Sequence, residues 1–467
     1  MSAPALLRPR SAPGLSARLA RSAAVTDAGH QLRTADIAGW LDERARAHHF
    51  AVRRAPLDGL DGWSFAPGTG DLVHRSGRFF AVRGLAAEVG EGPFRRWQQP
   101  IIHQPEVGIL GILAQEFDGV LHFLMQAKME PGNPRLLQLA PTVQATRSNY
   151  QRIHRGTRVK YLEHFTDPAP GRILADSLQS EHGSWFYRKA NRNMLVESAG
   201  GVVEPDGDFC WLTLGQIGAL LRQDHLVNMD SRTVLGCLPQ PGAGPGAERG
   251  SLHSDVELLS WFTGERSRHD VDVTLMPLAE VEDWARDKDG IARPDGRFFR
   301  VSGVEVKAGN REVTGWSQPL IEPLGTGVAA FVVRHLDGVP HLLVHARVEA
   351  GYLDTVELAP TVQCTHRNWE PVRPEDRPPF LRFVQEAAAA GSAVYSAEQS
   401  EEGGRFLDAR IRYLFVMADE DTAPWKAPRG YAWATVAQLN SLVAHGRYLN
   451  VQARTLLACV NSGAVRL

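Results

Sequence analysis

The chain has 467 residues, 43% of them hydrophobic and 22% charged, with a net charge of −2. That composition excludes a largely disordered protein, and near neutrality argues against a strongly basic nucleic-acid or membrane-surface binder. No apolar run reaches the roughly 18 residues of a transmembrane helix, and Cys210, Cys237, Cys364 and Cys459 make no disulfide or zinc spacing, so a cytoplasmic protein with reduced thiols and no metal is expected.

The first 34 residues are rich in Ala, Ser and Arg and lack an apolar signal region, and they read as a flexible tail. Residues 35–48 carry Ile37, Trp40 and Leu41 at helical spacing, with Thr34 as candidate N-cap. Residues 108–129 read as two strands around Asp118-Gly119, a dipeptide whose members both tolerate positive φ. Residues 136–146 are strand-like but interrupted by Pro141, which predicts an edge or a bulge. A further strand is predicted over 186–196. Thr213 then caps a helix over 214–221, and a short helix follows over 230–238. These elements make a mixed sheet with helices, an α+β class. Neither a dinucleotide-binding glycine fingerprint nor a phosphate-binding loop is present.

The chain repeats itself. Gly77-Arg-Phe-Phe80 returns as Gly296-Arg-Phe-Phe299, and Leu139-Ala-Pro-Thr-Val-Gln144 returns as Leu358-Ala-Pro-Thr-Val-Gln363. The offset of 219 holds without a gap from 77 to 150, where 28 of 74 positions are identical, and such self-similarity marks duplication. Downstream, Gln179-Ser-Glu181 matches Gln399-Ser-Glu401, Asn228 matches Asn450, and Arg232 matches Arg454. The expected organisation is a tail over 1–34, a first repeat over 35–238, a Pro/Gly linker over 239–252 and a second repeat over 253–467.

Residues kept in both copies serve the shared fold or a shared ligand. Trp97/Trp316, Gln99/Gln318, His122/His341, Glu130/Glu349, Thr142/Thr361, Gln144/Gln363, Thr146/Thr365 and Asn149/Asn368 are kept. Gln144 and Thr146 alternate on one face of an extended segment and suit hydroxyls or a base, although the Trp residues read equally as core packing and His122 as a satisfied structural histidine. Groups present in one copy only are candidates for a task of that copy. Lys189, Asn191, Asn193 and Glu197 are lost in the second copy, where Ala409, Ile411, Tyr413 and Met417 stand, whereas Arg192 persists as Arg412. The first repeat is therefore the expected active one.

Leu139 to Tyr150 with its echo at 358–369, together with Trp97-Gln-Gln-Pro100, Asn191-Arg-Asn-Met194 and Asn228 to Leu235, resembles the NDP-hexose 2,3-dehydratases of deoxysugar biosynthesis over residues 35 to 460. The resemblance implies two tandem Nudix-like domains, a homodimer, and no cofactor. It also implies removal of the C2 hydroxyl of dTDP-4-keto-6-deoxyglucose to give a 3,4-diketo product handed to a ketoreductase. In that frame Tyr150, His154, Lys189 and Glu197 are the candidate acid, base and enolate donor. Gln144, Thr146, Asn149 and Asn193 are assigned to the sugar, Arg192 and Arg232 to the diphosphate and Trp97 to the base, with Gln99 and Asn228 as further substrate-binding residues. Trp316, Gln318, Gln363, Thr365, Asn368, Arg412 and Arg454 would form a second, non-catalytic nucleotide-sugar pocket. The alternatives are a non-catalytic sugar-nucleotide binder and a Nudix-type pyrophosphohydrolase, the latter disfavoured because neither half carries the acidic Nudix box.

Overall fold

A computed structural model describes residues 14–146, 159–166, 171–239, 241, 250–309 and 314–467. Each repeat builds a seven-stranded mixed sheet. In the first, the order is Arg172–Ser180, Ala190–Glu197, Gly108–Phe117, Val120–Met129 and Phe209–Thr213, with two short strands, Leu137–Ala140 and Val143–Ala145, added along the middle pair. Ala190–Glu197 runs parallel to Gly108–Phe117, and the other pairings are antiparallel. The second repeat reproduces this sheet, with Arg410–Met417 parallel to Gly327–Leu336.

The turn chemistry foreseen from sequence is present. Asp118 and Gly119 have φ of 49° and 77°, Asp337 and Gly338 have 48° and 75°, and each pair closes a hairpin in the right-handed sense of the strands. Pro141 marks the point where the chain leaves Val120–Met129 and joins Gly108–Phe117. Thr142 holds that crossing, since its hydroxyl donates to the Leu124 carbonyl at 2.5 Å and accepts from the Leu113 amide at 2.9 Å. Thr361 repeats the arrangement with Leu343 and Val332, so the Thr142/Thr361 identity is structural. Thr213 caps Leu214–Leu221 in a reciprocal box with Gln216. Thr34 is not a cap: it is the first helical residue of Thr34–Ala47, and its hydroxyl turns back to the Thr26 carbonyl at 2.6 Å. His122 is satisfied by the His30 amide and the Val120 carbonyl.

Two smaller sheets depart from the expected domain plan. The strand Phe50–Ala55 of the first repeat does not pair within its own repeat. It lies antiparallel to Phe299–Ala308, with Phe50 opposite Ala308 and Ala55 opposite Gly303. Its counterpart in the second repeat, Val271–Met276, pairs reciprocally with Ala81–Val89. The repeats have exchanged an edge strand. The reason is that duplicated sheets offer equivalent edges, and alternating side chains fix a strand's face and not its partner. Phe50 and Val52 pack against Val304, Val306 and Leu320 across this exchange.

The repeats also share one apolar core. Leu110, Phe123, Leu212 and Leu235 of the first belong to the same buried cluster as Phe331, Leu342, Leu456 and Cys459 of the second. At its centre Met229–Leu235 packs on Val451–Asn461. The expected units 35–238 and 253–467 are therefore not independently packed. The expected tail is corrected over its described residues, 14–34. Leu15–Ala24 is a helix with Leu15 and Leu19 buried, Ser22 donates to the Leu121 carbonyl at 2.5 Å, and Arg18 pairs with Glu116 and Glu197. Most of the expected linker lies outside the described residues. Among the described residues, no helix is long and apolar enough to cross a membrane, and no two cysteines are bonded.

Candidate active site between the repeats

A cleft of about 220 Å³ opens on the middle of the first repeat's large sheet. Its floor carries Lys128, Gln144, Thr146, Lys189, Asn191 and Asp230, and its roof comes from the other repeat: Trp316, Gln318 and the strap Glu402-Gly-Gly-Arg405. That strap joins Tyr395–Ser400 to Arg410–Met417 and crosses to the first repeat, where the Gly404 amide donates to the Pro131 carbonyl at 2.7 Å. Gly403 is required by close approach, because a Cβ there would stand 2.6 Å from the Glu130 Cβ.

The polar groups form a connected network. Gln144 donates to an Asp230 carboxylate oxygen and, at 3.3 Å, to Glu130, while its own oxygen accepts from Lys128. Lys128 lies 3.1 Å from Glu130, and Asn228 donates to the other Glu130 oxygen at 3.2 Å while capping the helix that carries Asp230. Lys189 donates to the Glu106 carbonyl and to Asn191 Oδ1 at 2.8 Å, and Asn191 donates to Glu181 at 2.7 Å. Arg405 donates to Gln104 at 2.9 Å. Burial has the effects expected for a water-poor site. It pushes the Asp230 carboxyl up to about 7, with the Glu130 and Glu181 charges adding to the rise and the Gln144 hydrogen bond and Lys128 opposing it. It raises Glu402 well above the carboxylate range, helped by Glu181 and Asp230. It lowers the Lys189 ammonium, against the pull of Glu181 and Glu402.

The corresponding place in the second repeat is filled differently. Arg347 stands for Lys128 and binds Glu349 at 2.7 Å, and Gln363 accepts from Asn450 at 2.7 Å. Gln452 replaces Asp230, and its amide meets His182 Nδ1 at 2.9 Å, His182 being the counterpart of Glu402. Ala409 and Ile411 stand where Lys189 and Asn191 do.

The structure sorts the sequence candidates. Lys189, Gln144 and Thr146 line the first cleft, and Asn228 supports it from behind Glu130. Trp97 and Gln99 do not belong to it. They sit on the small sheet that packs on Ala350 of the second repeat, and Gln99 holds the Ser184 carbonyl at 2.7 Å. Conversely Trp316 and Gln318, expected in the second pocket, roof the first cleft, where Gln318 holds the Gly404 carbonyl at 2.6 Å. The strand exchange is the cause, since each small sheet faces the other repeat. Glu197 is taken up by Arg18 and lies apart from the cleft. Asn193 is 1% exposed under Thr233 and Cys237. Arg192 points outward to Asp176 at 2.5 Å, and Arg412 lies 3.8 Å from Glu398 on the equivalent outer face.

Arg232 and Arg454 are 0% exposed and bind protein rather than a diphosphate. Arg232 donates to the Val227 and Ser400 carbonyls and lies 3.3 Å from Glu401. Arg454 donates to Leu449 and Ser180 at 2.5 Å each and to the Thr233 hydroxyl at 2.6 Å. The bonds to Ser400, Glu401, Ser180 and Thr233 cross between the repeats, which explains the retention of both arginines. Gln363 belongs to the second network, Thr365 ends the strand Val362–Thr365, and Asn368 accepts from the Phe298 amide at 3.0 Å. Tyr150, His154 and Asn149 lie outside the described residues. Sequence reasoning missed Asp230, Glu402, Lys128 and Arg405. A signal existed for the first three: Asp230/Gln452, Glu402/His182 and Lys128/Arg347 differ between copies, and the chain contains only six lysines.

A duplicated α+β chain with raised carboxyls beside lysines in a shielded cleft defines an enzyme-like acid–base site. The family model for NDP-hexose 2,3-dehydratases matches residues 34–238 and again 255–460. The chain is 57% identical over 465 residues to a dTDP-4-dehydro-6-deoxy-alpha-D-glucopyranose 2,3-dehydratase of Amycolatopsis orientalis, covering 98% of this chain and 97% of that protein. It is 49% identical to the enzyme of the same name from Streptomyces violaceoruber (92% and 98% covered) and 48% identical to that of Saccharopolyspora spinosa (91% and 90%). The chain belongs to the NDP-hexose 2,3-dehydratase family.

Proposed function

We propose that the cleft on the first repeat binds dTDP-4-keto-6-deoxyglucose and eliminates its C2 hydroxyl together with the C3 proton. The observation that carries this reading is the asymmetry of the two clefts. The first gathers Asp230, Glu402, Lys128 and Lys189, while the second replaces them with Gln452, His182, Arg347 and Ala409.

The chemistry follows from the arrangement. The C4 ketone acidifies the C3 proton, and removal of that proton by a carboxylate places negative charge on the C4 oxygen. Lysine ammonium groups in a low-dielectric site stabilise that charge. A protonated carboxyl at the C2 hydroxyl lets it leave as water. The C3 enol that remains becomes the 3-ketone. The cavity has room for a hexose ring and is smaller than the roughly 300–1,000 Å³ typical of pockets enclosing larger ligands.

The finer points of the reading are a Nudix-like fold for each repeat, a homodimer, binding of a nucleotide sugar without turnover in the second cleft, and a cytoplasmic setting in which a 3-ketoreductase takes the product. The mixed sheet with its parallel central pair and the retained Gln363–Glu349–Asn450 network support the first and third of these. The test is one incubation of the chain with dTDP-4-keto-6-deoxyglucose, a 3-ketoreductase and NADPH, followed by mass spectrometry. A dTDP-2,6-dideoxyhexose is expected. Unchanged sugar nucleotide with measurable binding would leave a non-catalytic binder in its place.

A further inference from the structure

We propose that Asp230 and Glu402 act as a single acid–base pair drawn from different repeats, Asp230 taking the C3 proton and Glu402 protonating the departing C2 hydroxyl. The proposal rests on the dehydratase reading above and adds to it which groups do the work and that the second repeat supplies one of them.

The geometry has three parts. Both residues line the same cleft, Asp230 from the first turn of Met229–Leu235 and Glu402 from the opposite repeat's strap. Their counterparts show how such positions meet: Gln452 Nε2 and His182 Nδ1 are 2.9 Å apart. Duplication brings a helix residue of one repeat against a strap residue of the other in each cleft, and only in the first are both carboxylic acids. Finally, each acid keeps one solvent-shielded oxygen without a hydrogen-bond partner among the described residues, Oδ1 of Asp230 and Oε2 of Glu402. Asp230 as a whole is 6% exposed, and its unpartnered oxygen is free to meet a group bound in the cleft it lines.

The charges around the pair divide its roles. Glu130 and Glu181 are negative neighbours, and Lys128, Lys189 and Arg405 are positive ones. In this water-poor pocket the charge of Asp230 raises the Glu402 carboxyl further, so the pair is arranged to share one proton. Asp230 accepts a hydrogen bond from Gln144 and is the easier to ionise; Glu402 keeps the proton.

The proton count closes. Asp230 carboxylate takes the C3 hydrogen as a proton, the C3–H electron pair becomes the C2=C3 bond, and the C2–O bond breaks as Glu402 donates its proton to give water. The pair is now reversed, with Asp230 protonated and Glu402 ionised. Glu402 then takes the proton of the C3 hydroxyl, and the C2 carbon gains one from Asp230. The 3-ketone forms and the pair returns to its starting state, so no oxidant or external acid is consumed.

The experiment compares wild type, D230N, E402Q and the double variant D230Q/E402H, which copies the residues found together in the second cleft. Turnover is read by the ketoreductase-coupled assay and binding by titration with dTDP-4-keto-6-deoxyglucose. Each single variant is expected to lose about 10²- to 10⁴-fold in kcat with KM changed only a few-fold, and the double variant to fold, bind and not turn over. Wild-type kcat/KM is expected to be bell-shaped in pH, with the low-pH limb, set by ionisation of Asp230, absent in D230N. A single variant keeping more than about a tenth of kcat beside an active wild type overturns the pair and leaves the dehydratase reading intact. A flat wild-type pH profile overturns it without any variant. A wild type that forms no 2-deoxy product overturns the dehydratase reading and the pair with it.

Discussion

Asp230→Asn should make the protein more stable, and the gain should depend on pH. Asp230 ionises in the unfolded chain near 3.8 but in the folded protein only near 7, because its site is dry and already faces Glu130 and Glu181. Between these values the folded state holds a proton that the unfolded state has released. Stability therefore falls as pH rises through that window and is level above it. Asparagine keeps an oxygen for Gln144 and never ionises, so it escapes this loss. One pK unit corresponds to about 1.4 kcal/mol. With Glu402 able to relax once the neighbouring charge is gone, a gain of about 2–4 kcal/mol at pH 8 over that at pH 4 is expected. For a chain this long, an unfolding entropy of about 2.1 cal/mol/K per residue converts 1 kcal/mol to about 1 °C. Differential scanning fluorimetry of both proteins at four pH values should show the difference in Tm widening by about 2–4 °C from acid to alkaline buffer. A constant difference would refute the claim that Asp230 is a buried carboxyl held against its own ionisation. Loss of activity with gain of stability is the usual signature of a group kept for chemistry.

Three other outcomes follow from the packing. Arg232→Ala removes a guanidinium that is 0% exposed, leaves two carbonyls unpaired and takes the cation from beside Glu401 at the repeat interface, so a loss of about 3–5 kcal/mol is expected, measured as lower soluble yield and Tm. Trp316→Ala should raise KM about five- to tenfold, by loss of roughly 1–1.5 kcal/mol of aromatic contact, while Trp97→Ala should leave steady-state kinetics within about twofold; the reverse pattern would refute the crossed roofing of the clefts. Glu197→Ala removes only a partly exposed ion pair with Arg18, which retains Glu116, so about 1 kcal/mol or less of stability and little activity should be lost, whereas Lys189→Ala should abolish most turnover in the same assay.

Much of the local structure could be read along the chain. The Asp118-Gly119 hairpin, the Pro141 break, the Thr213 cap and the two-copy plan follow from turn chemistry, periodicity and offset, which are local properties. Of the residues singled out from sequence, Gln144, Thr146 and Lys189 line the cleft, lying in or next to strands that face it. It failed for Arg232 and Arg454, since identity between copies marks a shared interface as readily as a shared ligand, and only burial tells them apart. It failed also for Glu197 and Asn193, whose polarity serves Arg18 and Thr233.

The sequence by itself determined a near-neutral chain of two homologous α+β repeats, their turns and caps, and the family to which they belong. The tertiary structure alone decided that the repeats exchange Phe50–Ala55 and Val271–Met276, and that the first repeat's cleft is closed by the second repeat's small sheet and strap. The physical reason is that side-chain alternation and propensity act over a few residues, whereas two duplicated sheets present equivalent edges. Choosing between them depends on a core that both copies bury together.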